Sequence, residues 1–271
     1  MDTNALKKFA QAARNLLIDQ VGSKLELVLD PASPSRREHP LAMRDLDSAI
    51  VKLGKVQVVE QVAYTWFNRF TALRFMDANG YTTAGIVSPG EGQTRPEVLA
   101  EAMAGNLPDS APASISALLD GRTPSPDPQA EAYRQLLVLT CNEWHKPMPF
   151  LFEELDDYTE LLMPEDLLSQ NSILAEMRKV MTEDACQDVE IIGWLYQFYI
   201  SEKKDQVFAG LKKNQKITAE NIPAATQLFT PHWIVRYLVE NSLGRLWLLN
   251  RPQSRLAERM DYYIAPEEPE T

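Results

Sequence analysis

Cysteine and histidine are scarce in this chain of 271 residues, which holds two of the first (Cys141 and Cys186) and three of the second. Two thiols cannot build a disulfide framework, and with three imidazoles they do not make a zinc cluster. Long apolar runs are missing as well. None approaches the ~20 residues that span a bilayer, which excludes an integral membrane chain. The opening MDTNALKKFAQAARNLLIDQ lacks a continuous apolar stretch and carries Asp2 and Asp19, so neither a secretory signal nor a transit peptide fits. These absences describe a reduced, cytoplasmic protein. Positive charge is in deficit, with 27 Lys and Arg against 38 Asp and Glu, net −11. A molecule of that sign repels nucleic acid as a whole, so DNA contact needs a local basic patch or another part of the protein.

What remains is ordinary for a globular protein, 45% hydrophobic and 24% charged, and long enough to bury a core. Helical periodicity dominates. Leu6, Phe9, Ala10, Ala13, Leu16 and Leu17 follow the i, i+3, i+4, i+7 rule, with Lys7, Lys8 and Arg14 opposite. PASPSRREHP, from Pro31 to Pro40, interrupts the pattern. In a stronger helix Val59, Ala63, Trp66, Phe67, Phe70 and Leu73 make one stripe, stopped by Asn79-Gly80. That helical core segment, 1–81, gives way at 82–128 to SPGEG, NLPDSAPAS and GRTPSPDP, which read as surface turns and brief helices, a loop or insertion.

Helices resume over 129–216. One runs from Gln129 to Trp144, Lys146-Pro147-Met148-Pro149 cuts it, and another is expected near Pro164 to Val180. Val189 to Ile200, apolar nearly all round, reads as a buried helix. A last helix is expected from Pro231 to about Asn250 within 217–263, with 264–271, rich in Pro and Glu, as a linker that suggests a chain cut from something longer. No βαβ rhythm, repeat or long β-alternation occurs. The fold class is mainly α.

Thr226 to Trp247, TQLFTPHWIVRYLVENSLGRLW, is the most informative segment. Thr230-Pro231 is a strong helix start, with the threonine hydroxyl as N-cap and proline at the first helical position. Val235, Leu238, Val239, Leu243, Leu246 and Trp247 then give a face expected to be buried. All this describes a capped core helix. The same tip, with unpaired N–H groups and partial positive charge, also suits a carboxylate or phosphate.

Other candidates are weaker. Pro89-Gly90-Glu91-Gly92 lacks the third small residue of a dinucleotide loop, since position 95 is Arg. Glu153, Glu154, Asp156, Asp157 and Glu160 lack calcium-loop spacing and read as a solvated acidic face or a docking surface for a basic partner. His39 and His145 have no nucleophile arranged with them, and His232 matters only for its place in the first turn of the last helix. Lys203, Lys204, Lys212, Lys213 and Lys216 outnumber nearby acids by three within Ser201 to Lys216. They fit an exposed helical face or a contact to DNA phosphates. Trp194, Tyr196, Phe198 and Tyr199 read as core or as a base-stacking platform.

L-F-T-P followed by W-I-V-x-Y-L-V-E-N-S-L-G-R-L-W resembles motif X of N6-adenine DNA methyltransferases in which that motif precedes the catalytic ones. More closely, it resembles the PglX-type enzymes of bacteriophage-exclusion (BREX) systems. YTWFNRFTALRFMDANGY (64–81) and IIGWLYQFYISEKKDQVF (191–208) carry the same resemblance. It covers the chain from the first helix to Tyr263. It implies a helical N-terminal domain ending in the motif X helix of a truncated α/β methyltransferase domain.

By position the resemblance places Phe229, Thr230 and Pro231 near the methionine carboxylate of S-adenosylmethionine. It also implies double-stranded DNA and other phage-defence proteins as partners, with no membrane, and methylation that marks host DNA as self. Family enzymes continue into a D-P-A-C-G-S-G type loop and an N-P-P-Y motif that holds the flipped adenine. Neither motif occurs in this sequence, so the chain alone is expected to be inactive and to bind no cofactor. From a different class, the alternative is a non-catalytic, all-α interaction module with an acidic docking face.

Overall fold

A computed structural model describes residues 2–149, 151–152, 158–226 and 228–265. Its first helix starts where the chain offers a cap. The Asp2 carboxylate accepts from the Asn4 and Ala5 N–H groups at 2.9 and 3.1 Å, satisfying two of the four donors that a helix start leaves open. Helix α1, Thr3–Leu29, then buries Leu6, Phe9, Ala10, Ala13, Leu17, Val21 and Leu25 along one stripe. That stripe lies against two partners, α4 and α10 (Lys55–Ala78 and Glu190–Tyr199). The proline-rich interruption becomes a turn and the short α2, Ser35–Glu38, before α3, Pro40–Leu53, leads into α4.

All six residues of the expected α4 stripe, Val59, Ala63, Trp66, Phe67, Phe70 and Leu73, are buried. Each large side chain so removed from water contributes roughly 1.5–3 kcal/mol. The rings also contact one another: Trp66 and Phe70 at 5.3 Å between centroids, Phe67 and Tyr199 at 4.4 Å. The indole N–H of Trp66 is satisfied by the Thr159 carbonyl at 3.0 Å. Helix α4 stops as its sequence foretold. Asn79 caps it, and Gly80 takes φ +67°, a conformation that a Cβ would strain.

The segment 82–128 differs from expectation. It does hold only brief helices, α5 (Glu97–Met103) and α6 (Ala113–Leu119), but it is no surface appendage. Ile86, Val87, Val98, Leu99, Ala102, Ile115 and Leu118 belong to the same core as α1 and α4. Neighbouring side chains satisfy its backbone, which is what makes burial of a loop affordable. Asp77 accepts the Ile86 and Val87 N–H groups at 2.9 Å each, and Tyr133 and Arg178 donate to the Ile86 and Val87 carbonyls at 2.9 and 2.8 Å.

Asp127 caps the next helix by accepting from the Ala130 N–H at 3.0 Å, and α7, Pro128–His145, follows. After α8, Tyr158–Leu161, the helix expected from Pro164 begins nine residues late as α9, Ile173–Val180. Asp166 accepts from Ser169 N–H and Oγ at 3.1 and 2.6 Å, closing a local turn in place of the first helical turns.

Beyond α10 come α11 (Ser201–Leu211), α12 (Ile222–Thr226) and α13 (His232–Val239). A π-helical turn, Glu240–Gly244, then leads into α14, Arg245–Asn250. Among the described residues there is no strand, only an isolated bridge between Pro89 and Pro96. Nor is any described helix long and apolar enough to cross a membrane.

Candidate functional site

Helix α10 has two faces, not the one continuous apolar surface its sequence suggested. Ile191, Leu195 and Tyr199 enter the core, whereas Ile192 is exposed and Trp194 and Phe198 are half-buried. The other side, at positions 190, 193, 194 and 197, meets the segment before α13. The ring of Phe229 packs against Gly193, where a Cβ would come within 3.0 Å of three ring atoms. It meets Trp194 edge-on at 5.3 Å, and Trp194 stacks on Phe198 at 5.5 Å. The Phe229 N–H donates to Gln197 Oε1 at 2.8 Å. The aromatic run is therefore part core and part seat for another protein segment.

Phe229 is half-buried in this seat, while Thr230 next to it is exposed. The expected cap is corrected. Pro231 occupies the N-cap position of α13, no side chain of its own caps it, and Thr230 stands outside the helix. The donor that Thr230 was expected to satisfy, the His232 N–H, is taken by the Glu190 carboxylate from α10. Glutamate suits this place because a helix N-terminus attracts negative charge.

The face expected to be buried along the last helix is not. Val235, Leu238, Val239, Leu243, Leu246 and Trp247 are all exposed, Leu243 at 67%. The helical period is as read, but the stripe stays largely open to solvent, with Arg251 over the Trp247 ring at 5.4 Å and Ser254 Oγ accepting from its indole N–H at 3.1 Å. The opposite side carries a polar lock. Glu240, 6% exposed, accepts from Arg236 Nε at 3.0 Å and from the Tyr262 N–H at 2.6 Å. Asn241 donates to the Tyr262 carbonyl and accepts from the Ile264 N–H, both at 2.8 Å. Arg236 reaches Asp261 at 2.6 Å and lies 5.5 Å from the Tyr262 ring centre. Met260 packs on Gly244, where a Cβ would meet its methyl carbon at 2.6 Å. The E-N pair and the glycine of ENSLG thus bind the returning chain to the helix.

The five lysines do not share one helical face. Lys203 and Lys204 lie on α11, but that helix ends at Leu211, so Lys212, Lys213 and Lys216 follow it in the exposed turn around Asn214, which takes φ +61°. Lys203 is engaged with Glu60 at 3.2 Å, and Glu60 also holds Arg14 at 3.2 Å. These three residues wall a cavity of ≈ 220 Å³ together with Tyr64, Tyr196 and Tyr199. Burial pushes the Tyr64 and Tyr199 phenols above their ordinary range. No motif announces this cavity, because its charged residues lie far apart in sequence.

Other candidates settle as structure. His145 Nδ1 lies 2.7 Å from the Phe152 carbonyl, and His39 sits at the N-cap position of α3 without a side-chain capping bond. Among the described residues no three His, Cys, Asp or Glu gather as a metal site. Cys141 is buried, its thiol pushed up to about 12 by burial. Of the acidic run, Glu153, Glu154, Asp156 and Asp157 lie outside the described residues, as does most of the expected linker.

Taken with this geometry, relationship in sequence defines the class: over nearly all its length the chain is a homologue of adenine-specific methyltransferases. One relative is the adenine-specific methyltransferase BrxX of Escherichia coli O9:H4 (strain HS), 42% identical over 299 aligned residues, covering 99% of this chain and 24% of the relative. Another is the adenine-specific methyltransferase PglX of Lacticaseibacillus casei (strain Zhang), 35% identical over 289, covering 92% and 23%. The chain therefore spans about a quarter of the length of these curated relatives. No protein-family model matches it.

Proposed function

We propose that this chain is the amino-terminal helical region of an S-adenosylmethionine-dependent N6-adenine DNA methyltransferase of a bacteriophage-exclusion system. In this reading it supports the catalytic domain and lends one wall to the cofactor pocket. The observation that carries it is the exposed apolar stripe on the helix after Thr230-Pro231, in a chain related to enzymes about four times as long. Exposed apolar area on this scale marks a surface that another element covers. In the full enzyme the methyltransferase core covers it.

The tip of α13 fits the cofactor in a particular sense. Its first N–H is already held by Glu190, so a second carboxylate brought there meets like charge. S-adenosylmethionine also carries an ammonium and a sulfonium, and Glu190 suits that cationic end. Thr230 offers an exposed hydroxyl, Pro231 a rigid turn, and Phe229 the anchor of both. When bound, the cofactor supplies a methyl group activated by its positive sulfur. The residues of this chain bind and orient; they do not move a proton. With no N-P-P triplet or glycine-rich cofactor loop, the chain alone has no means of holding adenine or transferring the methyl group. Of Lys203, Lys204, Lys212, Lys213 and Lys216, the three beyond α11 are exposed, which supports a contact to DNA phosphates, and other proteins of the defence system are expected partners.

The test is methyl transfer from labelled S-adenosylmethionine to duplex DNA. An enzyme of the relatives' full length carrying this region should label adenine N6, and the 271-residue chain alone should not. Absence of labelling by the full-length enzyme at any adenine-containing duplex would overturn the reading.

A further inference from the structure

Helix α10 spends a residue that helices do without. Glycine in the middle of a ten-residue helix costs about 1 kcal/mol relative to alanine, so Gly193 is there for a reason outside the helix. The reason is contact: the Phe229 ring occupies the space a side chain would need. The neighbours that hold the same segment are Glu190, Trp194 and Gln197, so the gripping positions are i, i+3, i+4 and i+7, a full stripe of one helix. Three kinds of force act on two residues, Phe229 and His232, at the ends of a four-residue stretch. Ring packing fixes Phe229, a side-chain amide fixes its N–H, and a carboxylate fixes the first N–H of α13. The opposite stripe, Ile191, Leu195 and Tyr199, is rooted in the core with α1 and α4.

We infer that α10 is a positioning element whose outer stripe, Glu190, Gly193, Trp194 and Gln197, seats Phe229 and thereby sets the register in which Thr230, Pro231 and α13 are presented. This divides the Phe-Thr-Pro triplet by task. Phe229 is turned into the helical domain as an anchor, and Thr230 is left facing out. The consequence for the cofactor rests on the methyltransferase reading above; the seat itself does not.

The test is bump and hole, read by amide hydrogen exchange on the 271-residue chain. Gly193→Ala should speed exchange across residues 228–239 at least about tenfold, since the added methyl displaces the packed ring that holds this segment closed. Amides of α1 and α4 should keep their protection. Gly193→Ala/Phe229→Leu, which shortens the intruding ring, should exchange more slowly there than Gly193→Ala alone. Should Gly193→Ala loosen the whole core, Phe229→Ala decides, because it removes the anchor without adding bulk. Unchanged exchange at 228–239 in Phe229→Ala, or no relief in the double variant, would overturn the inference. In a full-length enzyme, Gly193→Ala should raise KM for S-adenosylmethionine about tenfold with kcat within about twofold, the pattern of lost binding. Faster exchange with an unaltered KM would keep the seat and reject the cofactor reading.

Discussion

Removing the Glu240 carboxylate should release the chain that returns along the last helix. Glu240 is almost wholly buried, and its two oxygens serve different partners: Oε1 takes Arg236, and Oε2 takes the Tyr262 N–H at 2.6 Å. Glu240→Ala therefore loses one charge-assisted bond to backbone and one to a guanidinium. Arg236 is 31% exposed and keeps Asp261 at 2.6 Å, so its share is screened and partly replaced. The Tyr262 N–H keeps nothing. Charge-assisted hydrogen bonds contribute about 1.5–3 kcal/mol each when buried, so with the arginine share discounted the loss is about 2–3 kcal/mol. At 1.4 kcal/mol per tenfold, opening of residues 258–265 becomes about 30–140 times more frequent. Hydrogen exchange of the Tyr262 and Ile264 amides reads this directly, and the melting temperature of the core should hardly move. Glu240→Gln, which keeps one acceptor, should fall between. A Tyr262 amide in Glu240→Ala that exchanges within about twofold of the parent would refute the assignment of this carboxylate as a lock.

Alkaline stability follows from Cys141. Its thiol ionises near 9.0 when unfolded and is held to about 12 by burial in the fold, so between those values the native state binds the extra proton. Stability is then fully present below pH 9.0 and falls as pH rises through that window; urea midpoints for Cys141→Ala should decline less steeply there than those of the parent. Equal slopes would reject the burial argument. For DNA, replacing Lys212, Lys213 and Lys216 together by Gln in a full-length enzyme should weaken binding and lower the slope of log K against log salt by up to about three. An unchanged slope assigns these lysines to solvated surface.

What could be read from the sequence was what depends on near neighbours. The α4 stripe and the Asn79-Gly80 stop are statements of period and of turn chemistry, and both hold. The outer stripe of α10 was not legible, because the helix reads as apolar nearly all round. The partner of Gly193 lies 36 positions away, and nothing local identifies Phe229 as the ring that packs there. Thr230 looked like a cap because the local pattern is the common one, but the carboxylate that reaches the His232 N–H comes from Glu190, 42 residues earlier. Burial of 82–128 failed for the same reason: Asp77, Tyr133 and Arg178, from three helices, satisfy its backbone. The last helix shows the converse. Its period predicted an apolar face correctly, but whether a face is covered depends on what stands opposite, and the stripe from Val235 to Trp247 stays largely open to solvent.

The central claim, that the Thr230-Pro231 edge seated by α10 lines a cofactor pocket, is tested most directly by calorimetric titration of a full-length enzyme with S-adenosylmethionine. Thr230→Ala and Pro231→Ala should each weaken Kd, the first by about tenfold for one lost hydrogen bond, with the 271-residue chain giving no heat of binding. Affinity undiminished in both variants would contradict the account.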